Sequence, residues 1–136
     1  MSALERAVMA SHDPMVYGHD DCAMWVAGIL DEVHGTDLLP TLRNGYTDVR
    51  SAIRYWNQWE SLVDALDAHV AGRFNRLPDG QPMQAYDVCV ITTGKRQSVA
   101  LPVSNSSIMA RNTHGIIIMQ RGQVQVNGVW RCHHPS

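Results

Sequence analysis

The sequence predicts one α+β domain, 1–136, in which helices come first and an antiparallel sheet follows. Helical apolar spacing and helix-capping residues characterise the helical part, 1–73, whereas short β-branched runs separated by glycine, proline and asparagine characterise the strand part, 84–132. Helices and strands that are segregated along a chain are typical of α+β domains. A chain of 136 residues is long enough to bury a core of its own.

The first two helices are predicted from apolar spacing and from the residues that start or stop them. Apolar residues at helical spacing indicate a short helix over residues 3–10. A second helix is expected to begin at Asp20 or Asp21, either of which can cap its first turn. It should run to about His34, because Gly35 is a typical residue to end a helix.

Two more helices are predicted before the strands begin. Thr47 is a plausible N-cap for the segment "DVRSAIRYW", and Ser61 with Asp64 resembles a capping pair for "LVDALDAHVAG". The segment "GTDLLPTLRNG", residues 35–45, is predicted to be a loop. The strand part then contains six short runs, which we expect to form an antiparallel sheet: "YDVCVITT", "SVALPV", "SSIMA", "GIIIM", "QVQV" and "VWR".

Composition excludes several classes of function. The net charge is -2 and the 11 basic residues are scattered, which gives no electrostatic footprint for nucleic acid. No apolar run is long enough to span a membrane, and the N-terminus lacks the features of a signal peptide. The three cysteines form neither a disulfide framework nor a zinc ribbon. We therefore expect no metal and no cofactor, and we interpret the loop with His12 and His19 as a solvated turn.

Cys22 is the residue that most suggests chemistry. It is placed in the first turn of the second predicted helix, where unpaired backbone N–H groups and the helix dipole favour a thiolate. The same position on the apolar stripe is also compatible with a buried, unreactive thiol. The residues around Cys22 decide how much weight each interpretation receives.

The segment "YGHDDCAMW" resembles the nucleophile motif of the NlpC-type (papain-like) cysteine peptidases. In those enzymes an Asp-Cys pair opens a helix after a Tyr and a Gly, and "AYDVCVI" resembles their Gly-Asp-Leu-Val strand. The chain is more similar still to a small phage and prophage family of unknown function related to these peptidases. That similarity includes Gly35 with Asp37, the segment "RNGYTD" and a closing Trp130-Arg131 pair. It implies an NlpC-type fold over most of the chain.

The resemblance also implies a histidine base on the strand after the Asp-Val strand, and here the sequence departs from the family. In the straightforward register, Ser98 stands where that base is expected and Met109 where a third polar residue is expected. Neither can take a proton from a thiol. A second register makes His114 the base, at the cost of an additional hairpin. We favour the first register because its connections have ordinary lengths.

An interaction surface is the other functional expectation. Trp56 and Trp59 lie in an aromatic-rich segment that either forms core between two helices or presents an anchor to another protein. Arg50 and Arg54, four residues apart, would flank that anchor. Ten of the 11 basic residues are arginine, the cation that suits protein interfaces.

Taken with the resemblance, these features predict a structural or assembly component of a phage tail tip. It would be made in the bacterial cytoplasm, incorporated in the virion tail and bound to other tail proteins, as a pseudoenzyme on a degenerate peptidase scaffold. The alternative is an active cysteine hydrolase that cleaves cell-wall peptides. In that alternative Cys22 is the nucleophile, His114 is the base, and a peptidoglycan peptide is the substrate.

Overall fold

The computed structural model describes residues 2–9 and 21–133. In that part of the chain the helices precede the strands, as predicted. The five helices are α1 (Ala3–Met9), α2 (Cys22–His34), α3 (Leu38–Gly45), α4 (Val49–Trp56) and α5 (Leu62–Val70). None of the helices in these residues is long and apolar enough to cross a membrane.

Helix boundaries follow from side-chain caps. Asp21 accepts a hydrogen bond from the Met24 N–H at 3.1 Å and so begins α2, which ends at Gly35 in the left-handed conformation. The Ser61 hydroxyl accepts from the backbone N–H of Asp64 and begins α5, as predicted.

Helix α4 begins one residue later than the sequence indicated. The residue that caps it is Asp48 rather than Thr47, because the Asp48 carboxylate and the Ser51 side chain form a reciprocal capping box. The rest of the predicted helix is present and ends at Trp56.

The prediction of a loop over residues 35–45 is wrong, since Leu38–Gly45 forms helix α3. The Asp31 carboxylate, on α2, accepts hydrogen bonds from the Leu38 and Leu39 N–H groups at 2.8 and 2.9 Å. A cap therefore comes from a distant side chain rather than from the preceding residue. Pro40 lies in the first turn, where a missing N–H costs nothing.

All strand pairings in the sheet are antiparallel, and the strand order is β1-β6-β2-β3-β4-β5. The strands are β1 (Phe74–Arg76), β2 (Val88–Thr93), β3 (Arg96–Pro102), β4 (Ser107–Asn112), β5 (Gly115–Gln120) and β6 (Gln125–Cys132). Two predicted strands, "QVQV" and "VWR", are one continuous β6. The short β1 precedes residue 84, so strand structure begins earlier than predicted.

Side-chain alternation gives the sheet two buried faces. One face packs against the helices and includes Val90, Val99 and Trp130. The opposite face forms a smaller cluster that includes Cys89 and Ile91, and the partly buried Leu77 and Val124 pack against it. Helix α2 packs on the first face, against β3 and β4, so its N-terminus lies beside the sheet.

An ion pair joins the Asp-Val strand to the closing Trp-Arg pair. Arg131 donates from Nε and from an Nη to the two carboxylate oxygens of Asp87, each at 3.0 Å, and the Asp87 side chain is almost completely buried. The Trp130 indole N–H donates to Asp67 of α5 at 2.7 Å. These motifs of the resemblance therefore have a structural role: they fix β6 to the start of β2 and to the helices.

Candidate functional site

Cys22 is the first residue of α2. The carboxylate of the preceding residue, Asp21, accepts hydrogen bonds from donors that could otherwise stabilise a thiolate. Asp21 is only 2% exposed. It accepts hydrogen bonds from the Met24 N–H at 3.1 Å and from the Tyr46 hydroxyl at 3.0 Å. The positive end of the helix dipole is thus balanced by Asp21 rather than by Cys22.

The pKa of the Cys22 thiol is raised to about 11, first by burial and second by the negative charge of Asp21. Backbone hydrogen bonds from Val99 and Ala23 oppose this shift but do not reverse it. The direction is opposite to the one that a helix N-terminus alone produces. At neutral pH the side chain is a thiol, which is a poor nucleophile.

Cys22 lies at the wall of an open cleft of about 370 Å³. The cleft is bounded by the start of α2, the segment between α4 and α5, and the beginning of β3. Its lining residues are Asp21, Cys22, Ala23, Trp56, Asn57, Trp59, Glu60, Ser61, Leu62, Gln97 and Val99. None of these lining residues is a histidine.

Strand β3 presents Gln97, not Ser98, to the cleft. Gln97 and Val99 line the cleft, and alternation along the strand directs Ser98, which pairs with Ile91, to the opposite face. Ser98, the residue expected at the position of the base, is therefore not among the residues that line the cleft, and Gln97 is. A glutamine amide cannot act as a general base at neutral pH.

The other two residues of the expected catalytic positions lie apart from the cleft lining. Met109 is buried in β4 among the core residues of the helix-facing side. His114 is exposed in the two-residue turn between β4 and β5, where its backbone N–H donates to the Asn112 side chain at 2.9 Å. Within residues 2–9 and 21–133, the structure does not bring the His114 imidazole into the lining of the Cys22 cleft.

The aromatic residues form one cluster between α4 and α5. The Tyr55 hydroxyl and the His69 Nε2 atom are 2.5 Å apart, and His69 Nδ1 is 2.6 Å from the Ala65 carbonyl oxygen. Since a carbonyl can only accept, Nδ1 donates to it, and in the neutral ring Nε2 accepts from Tyr55. Trp56 and Trp59 contact each other and His69 with tilted rings, and both are half-buried. Their main contacts are thus within the chain, although both also line the cleft.

The exposed surface of α4 includes two apolar residues that the sequence interpretation missed. Val49 and Ile53 are 54% and 56% exposed, four residues apart, and Arg50 and Arg54 are exposed beside them. The signal was present in the sequence as an i, i+4 apolar pair on α4. It was obscured by the more conspicuous tryptophans.

A metal centre finds no support in residues 2–9 and 21–133, where no three His, Cys, Asp or Glu side chains are grouped to hold an ion. The loop with His12 and His19 lies outside the described residues. Cys89 is buried on the far face of the sheet, and Cys132 is partly exposed at the end of β6.

The chain matches no curated protein and no solved structure. A sequence profile of one family, described as "Domain of unknown function (DUF6950)", matches residues 2–132. That match spans every helix and strand of the fold, together with the Cys22 cleft and the Asp87–Arg131 pair. The chain therefore belongs to the family described as a domain of unknown function (DUF6950).

Proposed function

We propose that this chain is a non-catalytic, protein-binding component of a phage tail tip, built on a degenerate NlpC-type cysteine peptidase scaffold. One observation carries the proposal: Cys22 opens a helix beside a cleft, yet its thiol faces Gln97 and Val99 and a buried carboxylate. The tail location and the scaffold come from the sequence resemblance. A degenerate peptidase site would keep the cysteine and lack the groups that activate it.

The environment of Cys22 supports a lost catalytic role for electrostatic reasons. A cysteine nucleophile needs a lowered pKa or an adjacent base, and a base must reach the thiol within hydrogen-bond distance or through one water. Here burial and then the Asp21 charge raise the pKa of the Cys22 thiol, and the cleft offers the Gln97 amide. Both features disfavour attack on an amide carbonyl.

The exposed face of α4 is the surface that we assign to binding other tail proteins. Val49 and Ile53 supply apolar area, and Arg50 and Arg54 supply cations able to form bidentate contacts. Trp56 is the last residue of the same helix. It is half-buried and packs against the core beside this surface. An interface of this kind has an apolar centre and a charged rim.

The alternative, an active hydrolase of cell-wall peptides, has one observation in its favour. Pairing of Leu101 with Met109 and of Pro102 with Ile108 directs the β4–β5 turn, with His114, toward the end of the sheet where β3 begins. Cys22 lies beside β3 at that end. Activity would still require His114 to move into the cleft.

A wall-hydrolysis assay tests the proposal against this alternative. Purified protein and its Cys22→Ala variant are incubated with purified peptidoglycan, and released peptides are measured by mass spectrometry. We expect no release by either protein. Release that occurs with the wild type and disappears in both Cys22→Ala and His114→Ala would establish the hydrolase instead.

Co-expression with the proteins encoded beside this chain tests the binding surface. We expect a stable complex with a tail protein that is lost in Ile53→Asp, because a charge replaces apolar area at the centre of the surface. Met9→Asp, at an exposed apolar position of α1, is the matched control and should leave the complex intact. Equal binding by both variants would rule out the α4 surface.

A further inference from the structure

Strand β5 is an edge of the sheet with an exposed apolar surface. It hydrogen-bonds to β4 on one side, and on its other side no strand pairs with it among the described residues. Ile117 and Ile118 are 37% and 67% exposed, on opposite faces of the strand. An edge of this kind is a template for pairing with another chain.

The two edges of the sheet differ in how they are protected. The edge strand β1 has only three residues and includes Arg76. Just before β1, the Arg73 carbonyl accepts a hydrogen bond from the His133 N–H. Short length and basic side chains are devices that prevent edge pairing. Strand β5 has six residues, with no charge, no proline and no bulge in its pairing with β4. The β5 edge therefore lacks the features that prevent pairing with another strand.

The hairpin turn determines which backbone groups of β5 point outward. Asn112 and Gly115 flank a two-residue turn and form its closing hydrogen-bonded pair, so alternate residues from Gly115 onward bond to β4. The N–H and C=O groups of Ile116, Ile118 and Gln120 then face the open edge. The Gln120 N–H is already used, because it donates to the Gln123 side chain at 3.0 Å. Ile116 and Ile118 are left with outward groups for a new strand.

We propose that β5 pairs antiparallel with β5 of a second copy of this chain, about a two-fold axis at Ile117. In this register Ile116 lies opposite Ile118 of the second copy, and each of these residues donates one N–H and accepts at one C=O. Ile117 faces its own counterpart at a position without hydrogen bonds, where side chains approach most closely. The pairing uses the outward groups of Ile116 and Ile118 and leaves the Gln120–Gln123 bond intact.

Charge and side-chain shape favour a second copy over a foreign strand. Because β5 has no charged side chain, two copies meet without like-charge repulsion, and β-branched pairs are favourable across strands. The nearest cation, Arg121, is bound to the Asn105 side chain at 2.8 Å and so is turned away from the new ladder. In the two-fold register, the same residues of both copies supply the hydrogen-bond donors and acceptors.

Charge placed at the axis tests the register directly. Sedimentation equilibrium should show a dimer for the wild type and, for Ile117→Lys and Ile117→Glu alone, a dissociation constant raised about tenfold or more. An equimolar mixture of the two variants should restore a dimer, because lysine then faces glutamate across the axis. Val33→Lys, which changes an apolar residue of similar exposure on α2 (38% against 37% for Ile117), is the control and should dimerise like the wild type.

Several outcomes would overturn the proposal. A wild type that stays monomeric at high micromolar concentration excludes a second copy, and a β5-dependent complex with another tail protein would then identify a foreign strand as the occupant. A dimer that persists in Ile117→Lys places the interface elsewhere. Circular dichroism of each variant shows whether it is folded, and Ile117→Cys gives an independent reading. It should form a disulfide-linked dimer, whereas Val33→Cys should not.

Discussion

At the scale of single residues, Cys22 has the position of a reactive cysteine at the start of a helix, but its pKa is raised rather than lowered. The start of a helix is where a reactive cysteine would be placed, and the sequence predicted that position correctly. The sequence could not predict that the preceding Asp21 would be buried and bonded to Tyr46, because Tyr46 lies 25 positions along the chain. That long-range contact is what holds a negative charge beside the sulfur.

Removing the charge at Asp21 should make Cys22 more reactive. Asn is also a good N-cap, so Asp21→Asn keeps the helix start while abolishing the charge that raises the Cys22 pKa. The rate of alkylation of Cys22 by iodoacetamide at pH 8 should rise several-fold, read from the mass of the Cys22 peptide. An unchanged rate would mean that burial alone accounts for the raised pKa.

The pair of Asp87 and Arg131 should contribute strongly to stability. Arg131→Met keeps most of the apolar stem but leaves the buried Asp87 carboxylate without its bidentate partner. We expect the free energy of unfolding in urea to fall by about 3 kcal/mol. Arg76→Met, which removes a more exposed and longer ion pair with Asp67, should cost less than about 1 kcal/mol. Equal losses for the two variants would contradict this ranking.

At the scale of elements, local signals predicted those helices and strands that are specified locally. Ser61 and its hydroxyl bond to the N–H of Asp64 begin α5 within a single turn, so the sequence alone identified that helix. Helix α3 was missed because its cap is Asp31, seven residues before Leu38. The orientation of Ser98 away from the cleft has a similar cause, because which residues of a strand face the helices depends on packing with distant elements.

The cap from Asp31 makes a prediction about α3. Asp31→Ala removes the acceptor for the N–H groups of Leu38 and Leu39 and also a 2.6 Å hydrogen bond from the Thr36 hydroxyl. The free energy of unfolding should fall by about 2 kcal/mol, measured in urea. Glu32→Ala is a suitable control, since Glu32 is the next residue along α2 and forms an exposed ion pair with Arg6. A loss no greater than in this control would mean that α3 does not need the cap.

At the scale of the whole molecule, the α+β prediction is confirmed by the five helices and the six-stranded antiparallel sheet of residues 2–9 and 21–133. The order of helices and strands was readable because it depends on the period of apolar residues along the chain. The strand order β1-β6-β2 was not, since β6 joins the sheet between two strands that precede it in the chain. The NlpC-type scaffold and the tail-tip role stay proposals, supported by the motif around Cys22 and by the chemistry of its cleft.

The pKa of Cys22 decides whether this site provides a nucleophile. The rate of iodoacetamide alkylation of Cys22 is measured from pH 6 to pH 12 by mass spectrometry of its peptide, with Cys132 as an internal reference. We expect a single inflection near pH 11 and a rate at pH 7 far below that of a free thiol. An inflection below about pH 8 would show an activated thiolate and would rule out an unreactive Cys22.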